Sequence, residues 1–512
     1  MAFAGGVVLV TRPSARFSEP RFLGANALVM SPTRKRGASS ASDPSAESAP
    51  PVQREAGPGP EARRTYAGRP HGGRSQDGRG NDSRGNDGRG RDSRGRDSRA
   101  LDRDEDSTVD DQAVAASLER EGARLVPCPE LAEKIDHDAL KVIRRLRRHG
   151  YTAFLVGGGV RDLLLGANPK DFDVATSAHP HEVKAVFRNC RLIGRRFRLA
   201  HILYSGGKII EVATFRRSPE TGGDASDLLI RRDNDFGEPF EDAYRRDFTI
   251  NGLFYDLGGA RVVDFVGGLA DVDARSLRMI GDPTVRLRED PVRIMRAIKF
   301  SARLDLGIDP ELHDALVAQR GELAKAATAR LFEEILRFLR GGAAARSFYL
   351  AWEMGVLAEL MPALSAFIDD GGPAVTHFWR TLSTLDARVR ADGCPEDAAL
   401  FTLLVLPLLL EHAPDPAKCS SEDFDPLWDD FQPRLAVPKR LRELVRCIVR
   451  AYPRMIRGKA GAFVGRDYFT AAQVVAEVER AAAGETLVLD LQDTGGGPTK
   501  RRRRRRRPTL LS

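Results

Sequence analysis

Long apolar runs and patterned cysteines are both missing from this sequence of 512 residues. The longest nearly apolar stretch, residues 398–410, is thirteen residues long and contains Thr402 and Pro407, whereas a transmembrane helix needs about 20 residues. The N-terminus lacks a basic segment followed by an apolar one, so we expect no secretory signal peptide. The five cysteines are scattered without Cys-x-x-Cys spacing, which argues against a disulfide framework or a zinc site. These absences predict a cytoplasmic protein.

Outside one short segment near the C-terminus, the sequence also has no excess of positive or negative charge. The chain has 80 basic and 72 acidic residues, a formal net charge of +8. Residues 500–507 alone carry eight positive charges, so the remainder has 72 of each sign. This balance argues against a histone-like protein and predicts a globular enzyme with a tail that binds polyanions.

Large apolar side chains are nearly absent between residue 30 and residue 112, where Pro, Gly, Ser, Arg and Asp dominate. A pentapeptide repeat of the type Gly-Asn-Asp-Ser-Arg or Gly-Arg-Asp-Ser-Arg fills residues 80–99. Such a segment cannot bury enough apolar surface to offset chain entropy, which predicts a disordered, low-complexity arm over residues 1–112. Its Arg and Gly content suits RNA contact, but the alternating Asp residues favour a solvated spacer.

The remaining sequence changes from alternating strands and helices to helices alone. Apolar residues follow helical spacing after Asp136, which can cap that helix, and Gly150 can end it. Strands are predicted over residues 152–156, 171–175, 200–204 and 208–215, and helices over 160–165, 181–187, 291–303, 330–339 and 441–452. This pattern predicts an α/β domain with a mixed sheet, followed by an all-α region.

The strongest local signal joins a glycine turn at residues 157–159 to an Asp-Phe-Asp segment at 171–173. A glycine turn between a strand and a helix lets backbone N–H groups approach phosphates. Because side chains at i and i+2 share one face of a strand, Asp171 and Asp173 are predicted to lie side by side. Adjacent carboxylates repel unless a cation lies between them, and hard oxygen ligands suit Mg²⁺.

A third acid, Glu211, interrupts the apolar run of residues 209–213. One interpretation is a charge on an edge strand that faces solvent. The other is a third ligand beside Asp171 and Asp173, as in sites where two metal ions serve phosphoryl transfer.

Four motifs in order resemble the class II nucleotidyltransferases, the superfamily of CCA-adding enzymes and bacterial poly(A) polymerases. They are GGGVRDLLLG at 157–166, DFD at 171–173, RRDFTIN at 245–251 and REDPVRIMRA at 288–297. The resemblance implies a palm-like catalytic head followed by a helical neck, body and tail. The implied domains are an arm over 1–112, a catalytic head over 113–270, a neck over 271–345, an RNA-binding body over 346–485 and a basic disordered tail over 486–512.

The same resemblance implies roles for individual residues. The metal ligands would be Asp171 and Asp173, with Glu211 as a candidate third, and Asp247 would join Asp171 and Asp173 as a catalytic acid. The metal would be Mg²⁺ or Mn²⁺ and the nucleotide ATP. The nucleotide would be bound by Gly158, Arg161, Arg246, Asp290, Arg293 and Arg296. Asp290, Arg293 and Arg296 recur at i, i+3 and i+6. A carboxylate beside a guanidinium can offer a hydrogen-bond acceptor and donors to a base. Taken alone, however, this stretch would be interpreted as a helix with internal salt bridges.

Residues 190–202, with arginines at 191, 195, 196 and 198, resemble the signature of the bacterial poly(A) polymerases within this superfamily. The function implied is the addition of AMP from ATP to RNA 3′ ends without a template. Two alternatives stay open. One is a CCA-adding tRNA nucleotidyltransferase, and the other is a catalytically silent protein that tethers RNA through its tails.

Deletion of residues 500–507 is predicted to weaken RNA binding, because the arginine run would neutralise several phosphates and release their counterions. Each lost phosphate contact lowers the slope of log K against log[salt] by about 0.7 for single strands. Anisotropy titrations of a labelled RNA at several salt concentrations measure that slope. A variant with lysine at each of the seven arginine positions is the matched control, and an unchanged slope after deletion would assign the run to solubility or localisation instead.

Overall fold

The computed structural model describes residues 109–194, 199–218, 235–413 and 415–492. Three sequence features therefore lie outside the described residues. They are the pentapeptide repeat at 80–99, the centre of the arginine-rich motif at 195–198 and the arginine run at 500–507.

An eight-stranded mixed sheet forms the first part of the described chain. Its strands are β1 (Arg124–Pro127), β2 (Ala153–Val156), β3 (Asp173–Thr176), β4 (Cys190–Ile193), β5 (Leu199–Leu203), β6 (Ile209–Thr214), β7 (Leu253–Asp256) and β8 (Arg261–Asp264). They are ordered β1-β8-β7-β2-β3-β6-β5-β4. The β3–β6 pair is parallel, and the other neighbours are antiparallel. This sheet confirms the predicted mixed α/β head.

Six helices accompany the sheet: α1 (Asp111–Arg120), α2 (His137–Arg148), α3 (Gly158–Leu164), α4 (Pro180–Val186), α5 (Pro239–Tyr244) and α6 (Gly268–Asp273). In α2 the Asp136 side chain accepts hydrogen bonds from the N–H groups of Asp138 and Ala139, as the predicted cap requires. Helix α1 starts at Asp111, two residues inside the segment that the sequence assigns to the arm.

Helices dominate the rest of the chain. A two-stranded parallel pair, β9 (Ser276–Leu277) and β10 (Gly307–Ile308), lies among the first of them. The helices are α7 (Pro283–Glu289), α8 (Val292–Leu304), α9 (Pro310–Ala318), α10 (Thr328–Arg340), α11 (Ala344–Glu353), α12 (Val356–Leu360), α13 (Pro362–Asp370), α14 (Gly372–Asp392), α15 (Asp397–His412), α16 (Asp425–Phe431), α17 (Lys439–Met455) and α18 (Phe469–Ala482). The apolar run at 398–410 is the buried helix α15. Among the described residues, no helix has both the length and the apolar character needed to cross a bilayer.

Several predicted element starts differ from the structure by one or two residues, and the two that matter for the site concern the glycine turn. Helix α3 begins at Gly158 instead of residue 160, directly after Gly157 with its positive φ of 66°. Strand β3 begins at Asp173 instead of Asp171, because its partner in β2 is Val156, the last residue before the turn. Beyond Val156 the chain bends away, so no backbone remains to pair with Asp171.

The expectation that Asp290 lies on the same helix as Arg293 and Arg296 is also wrong. Asp290 has an extended conformation in the turn between α7 and α8. The cause is Pro291, since proline disfavours helical geometry in the residue before it. The carboxylate therefore lies at the start of α8 but outside its helical surface.

Candidate active site

A cleft of about 710 Å³ opens between strands β3 and β6 of the sheet and helices α3, α8 and α10. Nine of the ten predicted site residues line it, and Asp171 is the exception. The nine are Gly158, Arg161, Asp173, Glu211, Arg246, Asp247, Asp290, Arg293 and Arg296. The fold thus brings together four motifs that are spread over about 140 residues of sequence.

Acidic side chains gather on the sheet side of the cleft. Asp173 is the first residue of β3 and Glu211 lies on the neighbouring parallel strand β6. Although the Asp173 side chain is open to solvent, loss of hydration within the cleft and the negative charges of Glu211 and Asp171 raise its pKa to about 6. Loss of hydration is the larger cause, and repulsion from the two neighbouring carboxylates adds to it.

Glu211 does not lie on an edge strand, so that interpretation of its charge is wrong. Strand β6 runs between β3 and β5, and on β5 the residue opposite Glu211 is His201. His201 Nε2 lies 3.4 Å from Glu211 Oε2. The carboxylate therefore has a neighbour on each side of its strand.

The carboxylates of the cleft fit a divalent cation whose coordination is completed by substrate oxygens. Among the described residues, no group of three His, Cys, Asp or Glu side chains is gathered closely enough to hold an ion by itself. Mg²⁺ commonly binds through one or two carboxylates, with substrate phosphates and waters as the other ligands. The carboxylates of Asp171, Asp173 and Glu211 supply hard oxygens whose mutual repulsion a cation would relieve.

The glycine turn places backbone directly against the cationic side of the cleft. A methyl group on Gly157 would lie 2.7 Å from Nη1 of Arg246, and one on Gly158 would lie 3.4 Å from Nη2 of Arg161. Only glycine permits both this close approach and the positive φ at position 157.

Arg161 is almost fully buried and held from two sides. Its Nη1 donates to Oδ1 of Asn251 at 2.5 Å, and its Nε donates to Oδ1 of Asp162 at 2.8 Å. Burial lowers the pKa of Arg161, and the Asp162 carboxylate partly offsets this effect. The guanidinium is therefore fixed in place before any ligand arrives.

The segment 245–251 contributes two fixed groups of opposite charge. Nη2 of Arg246 donates to Oδ2 of Asp242 at 2.8 Å, and its Nη1 donates to the backbone carbonyl of Asn251 at 3.1 Å. Asp247 accepts from Nδ2 of Asn251 at 3.0 Å and from Nε of Arg296 at 2.6 Å. Burial alone would raise the pKa of Asp247, but the charge of Arg296 and these hydrogen bonds lower it to about 2.

On the helical side, the predicted trio makes separate ion pairs. Asp290 accepts from both terminal nitrogens of Arg330, at 3.1 and 2.8 Å. Arg293 donates to Oε2 of Glu289 at 3.0 Å. Glu289 ends α7 and Arg293 lies on α8, so this pair joins two helices. None of the three residues therefore makes the salt bridge within one helix that the sequence left open as an alternative, because Asp290 and Arg296 also bind partners on other elements.

The sequence analysis missed several residues that line the cleft, among them Asp242, Asn251, Phe300 and Arg330. Asp242 precedes the arginine pair of RRDFTIN by three and four residues, a helical spacing that could have identified it. Arg330 gave no such signal, because it lies 40 residues from its partner Asp290. The Phe300 ring lies between cations, with Arg161 at 5.1 Å and Arg296 at 5.3 Å from its centroid.

Known proteins are similar to this sequence over most of its length. The family described as "Poly A polymerase head domain" matches residues 153–278, and the one described as "Probable RNA and SrmB- binding site of polymerase A" matches residues 305–368. Poly(A) polymerase I of Escherichia coli O6:H1 is 41% identical over 380 residues, which is 69% of this chain and 81% of that protein. The chain belongs to the bacterial poly(A) polymerase I family of nucleotidyltransferases.

CCA-adding enzymes are more distant relatives of this poly(A) polymerase family member. The enzyme of Bacillus licheniformis is 36% identical over 227 residues, or 43% of this chain and 55% of that enzyme. Among solved structures, the Bacillus stearothermophilus CCA-adding enzyme in complex with CTP gives a TM-score of 0.49 at 28% identity, covering 67% of this chain and 77% of that one.

Replacement of Gly157 by alanine is predicted to weaken nucleoside triphosphate binding by about 10- to 100-fold, the equivalent of one charge-assisted contact. The new methyl group would displace Arg246, which lies 2.7 Å away. Gly166→Ala is the matched control, because Gly166 has a φ of 74° and nothing within 4 Å of the added carbon. Calorimetric titration with ATP measures the effect, and equal affinities for the two variants would contradict it.

Proposed function

We propose that this chain transfers AMP from ATP to the 3′ ends of RNA and releases pyrophosphate, without a template. The observation that carries the proposal is the opposition of acids and cations across one cleft. Asp173 and Glu211 lie on the sheet side, and Arg161, Arg246 and Arg296 surround the remaining space. Membership of the poly(A) polymerase I family supports the choice of substrate.

A divalent cation, Mg²⁺ or Mn²⁺, would be held by Asp171 and Asp173, with Glu211 as a further ligand. When bound there, it would lower the pKa of the RNA 3′-hydroxyl and neutralise charge that develops on the phosphates. Because Asp171 precedes the strand, its carboxylate can adjust to the ion more freely than a residue fixed in the sheet.

The side chains of the cleft would position the triphosphate. The backbone at Gly158 and the guanidinium groups of Arg161 and Arg246 would contact its oxygens. Asn251 and Asp242 hold these guanidinium groups in place, so little conformational freedom is lost on binding. The 3′-oxygen of the RNA would then attack the α-phosphorus in line, the bond from that phosphorus to the bridging oxygen would break, and pyrophosphate would leave.

Asp290, Arg293 and Arg296 would contact the nucleotide from the helical side. Each of them is held by an ion pair: Asp290 by Arg330, Arg293 by Glu289 and Arg296 by Asp247. Groups fixed in this way present one pattern of donors and acceptors. Such a pattern would favour one base, as a template-independent enzyme requires.

The alternative functions receive less support. The CCA-adding relative covers a smaller part of this chain at lower identity than the poly(A) polymerase does. A silent tethering protein would have no need of Asp171, Asp173 and Asp247, all of which are present. The cytoplasmic location stays a prediction from the sequence.

Primer extension tests the reaction. We expect long extension of an unstructured, 5′-labelled RNA with Mg²⁺ and ATP alone, and little extension with CTP. The parallel substrate is a tRNA that lacks its 3′ end, supplied with ATP and CTP separately and together. Addition limited to the tRNA and dependent on CTP would assign the chain to the CCA-adding enzymes, and no addition to any substrate would favour the tethering function.

Substitution of the acids tests the metal site. Asp171→Ala and Asp173→Ala are each predicted to lower the rate of AMP addition by at least about a thousandfold, since metal stabilisation is worth several kcal/mol and about 1.4 kcal/mol is a factor of ten. RNA affinity is expected to change little. Asp314→Asn, at an acid whose side chain is 88% exposed, is the control, and retention of more than a small part of the rate at saturating Mg²⁺ would refute the role.

A further inference from the structure

His201 borders the candidate active site without lining it. It lies on strand β5, next to β6 in the sheet. Leu199, two residues earlier on β5, lines the cleft, as does Glu211 on β6. Because side chains at i and i+2 share one face of a strand, His201 lies on the same face as Leu199, one position further from the centre of the cleft.

The imidazole of His201 and the carboxylate of Glu211 are direct neighbours across two strands. The antiparallel register pairs these two residues, and Cβ atoms paired in this way are about 4.5–5.5 Å apart on one face of the sheet. Nε2 of His201 lies 3.4 Å from Oε2 of Glu211. An ordinary N–H···O hydrogen bond is about 2.9 Å long, so a small rotation of either side chain would complete one.

This contact does not depend on the charge of the imidazole. A histidine ring can carry a proton on Nε2 in its neutral form as well as in its charged form. In either form, the Nε2–H group can donate to the carboxylate. The bond occupies Oε2 of Glu211, so Oε1 can still coordinate a cation.

Among the candidate metal ligands, Glu211 has the greatest need of a partner. A glutamate side chain has more rotatable bonds than an aspartate, and 41% of the Glu211 side chain is exposed, so its carboxylate can adopt many positions. Repulsion from Asp171 and Asp173 acts on the same charges and would turn it away from them. Within the described residues, no side chain other than His201 makes a hydrogen bond or an ion pair with Glu211.

The other carboxylates that face the nucleotide side of the cleft are already held by donors. Asp247 accepts from Nε of Arg296 at 2.6 Å, and Asp290 accepts from Arg330 at 3.1 and 2.8 Å. Each of these partners restricts a carboxylate to one orientation. The imidazole beside Glu211 would do the same on the sheet side.

We propose that His201 is a positioning residue for the metal site, whose Nε2–H group holds Oε2 of Glu211 and leaves Oε1 for the divalent cation. This inference rests on the proposed function for the presence of that cation, which Asp171 and Asp173 would also bind. A group that hydrogen-bonds to a metal-binding side chain typically contributes a factor of about 10 to 100 in metal affinity or activity.

The test measures metal binding apart from catalysis. The full-length protein is titrated with Mn²⁺ in the absence of RNA, together with an ATP analogue that has a methylene bridge between its α- and β-phosphorus atoms. Free Mn²⁺ is read from its electron paramagnetic resonance signal, and the affinity of the analogue alone for Mn²⁺ is measured separately and included in the fit.

His201→Phe is expected to weaken Mn²⁺ binding by about 10- to 100-fold, because the phenyl ring has no donor. The imidazole is 20% exposed, so the new ring has room. His201→Gln should keep most of the affinity, since its side-chain amide can still donate. The matched control is His149→Phe, which removes an exposed imidazole of the head whose Nδ1 lies 2.9 Å from the carbonyl oxygen of Arg145.

A double-mutant cycle tests whether His201 acts through Glu211. If it does, His201→Phe combined with Glu211→Gln should bind Mn²⁺ as Glu211→Gln does alone, because the effects of residues in contact are not additive. Effects that multiply would show that His201 acts independently of Glu211 and would overturn the assignment. His201→Leu, which is smaller and also lacks a donor, repeats the cycle if the phenylalanine variant does not fold.

The remaining outcomes separate the positioning role from other roles of His201. Wild-type Mn²⁺ affinity in His201→Phe would overturn the assignment, and a simultaneous loss of RNA affinity would make His201 an RNA contact. Equal losses of Mn²⁺ affinity in His201→Phe and His201→Gln would assign the residue to packing in the sheet and would also overturn it.

A parallel assay of AMP addition keeps this inference distinguishable from the proposed function. Mn²⁺ binding that depends on His201, in a protein that never adds AMP, would support the positioning role and refute the proposed reaction. AMP addition by a wild-type protein that binds no Mn²⁺ would refute the metal site and this inference with it, and would leave the reaction in place.

Discussion

The ion pair between the buried Asp247 and the partly exposed Arg296 is the contact on which the cleft depends. Asp247 follows α5 in the head and is 8% exposed, and Arg296 lies on α8 among the helices. Removal of Arg296 would leave the buried Asp247 carboxylate without its compensating charge, which is strongly unfavourable. Arg286 of α7 reinforces the junction by donating to the carbonyls of Arg245 and Arg246, both at 2.8 Å. The two sides of the cleft are thereby fixed relative to each other.

The same contact extends into a relay of polar groups across the cleft. Asn251 accepts from Arg161 and donates to Asp247, which in turn binds Arg296. The relay holds two cations near a single aromatic ring, Phe300, in spite of their repulsion. A site built in this way carries its positive potential before the triphosphate binds, which is how electrostatic preorganisation lowers a barrier.

The positive charge of the cleft is organised in pairs. Arg161, Arg246, Arg293 and Arg296 each have a carboxylate partner, so their positions are fixed and their field is moderated. This arrangement suits recognition of one nucleotide.

Local sequence determined much of this protein. Helical spacing and the Asp136 cap predicted α2. The motifs predicted the family and nine of the residues that line the cleft. Each of these signals depends only on residues within a few positions of one another. Tertiary structure alone decided that β3 starts at Asp173, where its partner strand ends, and that Glu211 lies on an interior strand. It also decided which charges pair, as with Asp290 and Arg330, since contacts between residues 40 or more positions apart depend on how helices and sheet pack and leave no periodic trace in the sequence.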